Sequence, residues 1–124
     1  MRCIALALLV AALGAAAACS TTDNNRPATV QYITEAILQP HCAQDVCHSS
    51  YAKASGYAFD TVAAAKSSLR GLVSTSDPES SLLYTVLIRS VKRMPYDAPL
   101  PDKDIQLILL WIQENAANDL GLTP

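Results

Sequence analysis

Apolar and polar positions divide this chain into unequal parts. Cys3 to Leu13 is an almost unbroken apolar run, opened by Met1 and the positive Arg2 and followed by small residues from Gly14 to Ala18. From Ser20 to Pro27 the chain is polar, with nothing to bury. Apolar positions then return at the spacing of a helix face in Val30, Ile33, Ile37 and Leu38. Thr29 is placed to cap that helix, and Pro40 is expected to end it. From His41 to Phe59 no periodicity is visible. Asp60 to Leu69 is rich in alanine, with Asp60 or Thr61 as its cap and Gly71 as its stop. Leu72 and Val73 form a short apolar pair in a loop. Ser76 and Glu79 have the spacing of a capping box around Pro78, and Leu82, Leu83, Val86 and Leu87 supply the stripe of the helix it would open.

Prolines at 95, 99 and 101 exclude regular structure between Lys92 and Pro101. The last element is the best defined. Asp102 and Asp104 complement the dipole at its start, and Ile105, Ile108, Leu109 and Ile112 form its stripe, broadened by Leu107, Leu110 and Trp111. It is expected to fade near Asn118, before Gly121. There is no internal repeat and no alternating strand pattern. An all-α single domain follows.

The leading segment is better read as address than as fold. A charged start, a short apolar run and small residues before a cut describe a secretory signal peptide over residues 1–18. Its apolar run is shorter than the roughly 20 residues that span a bilayer. Ala16-Ala17-Ala18-Cys19 resembles a bacterial lipoprotein cleavage box, which implies a lipid on Cys19. Residues 19–28 would then be a flexible polar tether, and residues 29–124 the folded domain. The expected product is an exported protein, periplasmic or associated with the outer membrane, and held to a membrane by its lipid anchor only.

Charge narrows the partners. Nine Lys and Arg against eleven Asp and Glu give a net charge of −2, with no basic run. That argues against nucleic-acid binding. In an oxidising compartment the two remaining thiols, Cys42 and Cys47, need a fate.

His48 follows Cys47 directly, so the segment from Cys42 reads C-x-x-x-x-C-H. Two cysteines followed by histidine carry the logic of haem attachment: each thiol takes one vinyl group, and the adjacent imidazole takes the iron. The usual gap between the cysteines is two residues, and here it is four. Apart from the initiator, the only methionine is Met94. It stands in the proline-rich loop, where its thioether is a candidate second iron ligand. Other fates remain open for these residues. Cys42 and Cys47 have the spacing to close a small disulfide loop, leaving a haem-free structural or binding protein. His41, Cys42, Cys47 and His48 carry zinc-ligand chemistry. Met94 and Trp111 suit a core, and Lys92 and Arg93 suit a solvated pair or a contact to haem carboxylates or a redox partner.

Taken together, the parts resemble the class I cytochrome c family over about ninety residues. The first helix precedes the cysteine-histidine motif. Asp77-Pro78-Glu79-Ser80-Ser81-Leu82 stands in the middle, Met94-Pro95 follows, and Trp111-Ile112 to Ala117 closes the domain. The departure is the widened cysteine gap. The resemblance implies an all-α domain whose first and last helices pack together and bury Ile33, Ile37, Ile108 and Trp111. It also implies one covalent haem c on Cys42 and Cys47, iron held by His48 and Met94, and electron exchange with an unidentified redox partner. No nucleophile or general acid–base set is visible, so an enzyme is not expected.

Overall fold

The computed structural model describes residues 24–122. The expected signal peptide and the expected lipidation at Cys19 lie outside the described residues. Six α-helical segments are described: α1 (Val30–Ile33), α2 (Gln39–Cys42), α3 (Val62–Leu69), α4 (Leu82–Ile88), α5 (Asp102–Glu114) and α6 (Ala116–Leu120). Among the described residues there is no strand, so the domain is all-α.

The first helix starts where the sequence says. Thr29 is extended, and its side chain accepts from Tyr32 N at 3.2 Å. Pro40 does not end it. A π-helical stretch, Thr34–Leu38, follows α1, and α2 carries the backbone through Pro40 to Cys42. A proline inside a helix lacks a donor and clashes with the carbonyl four residues back. The wider π register ahead of Pro40 places it in the first turn of a new α segment, where that donor has no partner to lose.

Thr61, not Asp60, caps α3, accepting from Ala64 N at 3.1 Å. The helix ends at Leu69, and Gly71 does not take the left-handed conformation expected of a stop. The capping box at Ser76 and Glu79 is not formed. Pro78–Ser80 is a 3-10 turn, and α4 begins only at Leu82. Ser81 explains the delay: its buried hydroxyl accepts from Ser74 N at 2.9 Å, which holds the turn against the loop before it.

Leu107, Ile108, Trp111 and Ile112 are the buried face of α5, while Leu109 is only half-buried. Asn115 breaks the helix and donates its side-chain amide to Ala28 O at 2.8 Å. Gly121, at φ 62°, then closes α6 in the left-handed conformation, and Leu122 N reaches back to Ala117 O at 2.8 Å.

Ile33, Ile37, Ile108 and Trp111 are all buried, so the first and last helices share one core. Asp119 locks them together. One of its carboxylate oxygens accepts from Val30 N at 2.7 Å and from Trp111 Nε1 at 2.9 Å. The segment before α1 also belongs to this side. Asn24 and Arg26 donate to Lys103 O, and Arg26 pairs with the buried Asp104. From Asn24 onward, the segment expected as a free tether is bonded to the start of α5.

Candidate cofactor-binding site

The Cys42 to His48 segment folds back on itself. Cys47 N donates to Gln44 O at 2.8 Å and His48 N to Cys42 O at 3.1 Å. The four-residue gap is thus a closed turn that leaves both cysteines half-buried and His48 beside them. Outer bonds hold the turn. Ala54 N donates to Cys47 O at 2.9 Å, and Phe59 N to His48 O at 2.7 Å. Asp60 takes two bonds from Ser50, one from the amide at 2.8 Å and one from the hydroxyl at 2.6 Å.

The stretch after the turn aims two aromatic rings at the histidine. Ala58 is pinned to α3, because Ser68 Oγ both accepts from its N–H and donates to its carbonyl. Side chains alternate along an extended segment, so Tyr57 and Phe59 face away from Ala58. Phe59 lies 5.3 Å from the His48 ring, centre to centre, and Tyr57 lies 6.4 Å away.

Met94 arrives from the other direction. Its N–H donates to Val86 O at 2.8 Å, which folds the proline-rich loop back onto α4. Leu82, Leu83, Val86 and Leu87 of α4, with Leu38 and Leu72, complete an apolar wall. Between these elements lies a cavity of about 330 Å³ whose lining includes Cys42, His48 and Met94. Three of the four residues singled out for haem therefore converge on one space. Cys47 does not line it.

Cys42 and Cys47 are both free thiols, so the alternative disulfide is not formed here. Burial, with the neighbouring Cys47 adding to it, pushes the Cys42 thiol up to about 12. It is therefore neutral near pH 7. His48 Nδ1 is buried and has no hydrogen-bond partner among the described residues. An unpaired imidazole nitrogen in an apolar setting is costly unless something fills its lone pair or takes its proton. Among the described residues no group of three or more His, Cys, Asp and Glu converges as a metal cluster, and His41 is exposed. The four-ligand zinc arrangement is not assembled.

These side chains fit a haem by the chemistry of the donor set: one imidazole, one thioether, a neutral thiol in the cavity wall with a second close by, and hydrocarbon or aromatic walls. Tyr57, Phe59 and Arg89 also line the cavity and were not singled out from the sequence. The alternation of Tyr57 and Phe59 is a readable signal, but Arg89 gives none. Lys92 is exposed. Arg93 is half-buried, and its Nε has no partner among the described residues. Among the described residues, no helix is long and apolar enough to cross a membrane.

Comparison of the chain with protein-family models, with curated proteins and with solved structures returns no match.

Proposed function

We propose that this protein is a monohaem c-type electron carrier, exported and lipid-anchored at Cys19, with Cys42 and Cys47 as the attachment thiols and His48 and Met94 as the iron ligands. The observation that carries the reading is that one mainly apolar cavity is lined by Cys42, His48 and Met94 together. A haem bound there supplies reversible one-electron exchange at its iron.

The chain's own residues would do the rest. Cys42 and Cys47 would hold the group by thioethers, each sulfur adding to one carbon of a vinyl bond and its hydrogen to the other, with no oxidant needed. His48 offers an imidazole lone pair, and Phe59 and Tyr57 fix the plane of its ring. Met94 offers a thioether, a ligand that raises the potential relative to a second histidine. The leucines of α4 would exclude water from a bound group, lowering the local dielectric so that nearby charges count for more.

The test is expression of the full chain in a host equipped for haem maturation. A red product is expected, with haem that stays on the chain through denaturing electrophoresis and is lost from a Cys42→Ala, Cys47→Ala double variant. A colourless product whose Cys42 and Cys47 are joined by a disulfide would overturn the reading and favour the haem-free alternative. Met94→Leu separates ligand from core: an unchanged spectrum and potential would remove Met94 from the iron.

A further inference from the structure

The cavity wall is apolar with one charged exception. Arg89, the residue that ends α4, is the only charged side chain in the lining. Its Nε donates to Lys92 O at 2.8 Å, which ties one edge of the guanidinium to the loop leading to Met94, and among the described residues its two terminal nitrogens have no hydrogen-bond partner. It is solvent-exposed, and among the described residues it enters no ion pair. A guanidinium held by one edge is prepared to take a carboxylate on the other.

A cation in the lining of a mainly apolar cavity that also offers an imidazole and a thioether matches a ligand that is a large apolar plate with an acidic edge. We infer that Arg89 is the carboxylate-recognition residue of this cavity, pairing with an acid group on the edge of the bound macrocycle. The inference rests on the haem reading and deepens it. A haem carries its two propionates on the edge away from its vinyl groups. Thioethers at Cys42 and Cys47 claim the vinyl edge, so the acid edge must be met by residues outside that turn. Arg89 comes from a different element and meets that requirement. Its role is to select and orient the plate, since it touches neither the iron nor the attachment thiols.

The probes are haemin and haemin dimethyl ester, which differ only in whether the carboxylates are free. Each is titrated into the full chain made without haem maturation, and binding is followed by the absorbance of the haem band. Three variants are compared with the wild type: Arg89→Ala, Arg89→Lys and Arg70→Ala. Arg70 is exposed, follows α3 and does not line the cavity. Because the ester is greasier, the quantity to read is the change in the haemin-to-ester preference between variants.

The wild type and Arg70→Ala are expected to share one preference. Arg89→Ala should lower it about tenfold, the scale of one charge-assisted hydrogen bond at a partly solvated site. Arg89→Lys should keep part of it, because it keeps the charge and loses the fork. The same preference in the wild type and Arg89→Ala would overturn the inference while leaving the haem reading standing. A wild type that binds neither probe, in the same folded state, would overturn the haem reading and this inference with it.

Discussion

Where α1 meets α5 and α6, the interior is finished. Ile33, Leu107, Ile108 and Trp111 have no solvent exposure, and the buried indole N–H and the first helical amide both end on Asp119. Where the Cys42 to His48 turn meets α4, the walls stop short of each other. Leu82 is 46% exposed beside a cavity of about 330 Å³, and a buried imidazole nitrogen has no partner among the described residues. One chain thus builds two interiors from the same apolar residue types and completes only the first. The finished side suffices to fix the backbone, so the second side can keep its space without losing its shape. This division of labour supports the proposed function: a cofactor site has to be held open by something that is not the cofactor.

The sharpest way to break that contrast is to truncate each side. Trp111→Ala empties the finished core, and substitutions of this kind cost ~3–5 kcal/mol. Small domains have only about 5–15 kcal/mol to lose, so a large fraction unfolded at moderate denaturant is expected. Leu82→Ala should cost under ~1 kcal/mol in the haem-free protein, because its side chain faces open space. Urea unfolding followed by circular dichroism measures both. Equal losses would mean that the cavity wall carries the fold as much as the helix pair does, and the contrast would fail.

A smaller effect is expected at the lock itself. Asp119→Ala leaves Val30 N and Trp111 Nε1 without their acceptor, and a stranded donor costs ~1–3 kcal/mol. Asp119→Asn keeps a carbonyl oxygen in the same place, so it should recover part of the loss. If both substitutions cost the same, the hydrogen bonds at Asp119 are not what joins the two ends of the chain.

Much of the finished side was legible in the sequence, because it obeys periodicity. Thr29 opens its helix as a cap should, and the stripe residues Val30, Ile33, Ile37 and Leu38 are all buried, as are Ile108 and Ile112 of the last stripe. Pro40 misled because the penalty of an internal proline is local, whereas the π register that absorbs it depends on five preceding residues. The capping box at Ser76 and Glu79 misled for a different reason. Its spacing is right, but the buried Ser81 hydroxyl competes for the same turn. On the unfinished side the ligand-type residues were visible one by one, while their convergence was not. Cys42, His48 and Met94 are brought together by Ala58 docking on Ser68 and by Met94 N–H closing on Val86. Neither bond has a periodic signature. Asp119 was invisible for the same reason, since one of its partners, Val30, lies 89 residues away in the chain.

The unfinished side also has a lock, and it is weaker in a way that pH can expose. Asp60 holds Ser50, and so the far end of the cysteine-histidine turn, through two hydrogen bonds on the carboxylate of a half-buried residue. The Ser50 hydroxyl, then the Ser50 amide, favours the charged carboxylate and lowers its pKa below the ordinary 3.8. A depressed folded-state value means that the stabilisation is fully present above the unfolded value of 3.8 and is lost as pH falls through the lower folded value. The turn is therefore expected to loosen below about pH 4, before the helix pair does. Hydrogen exchange of the Ser50 amide, compared with that of Trp111, reads the two sides separately. Asp60→Asn should make Ser50 exchange faster at neutral pH and remove its acid dependence, with Trp111 unchanged. A Ser50 amide whose protection falls in step with that of Trp111 in the wild type would show that the two interiors open as one unit.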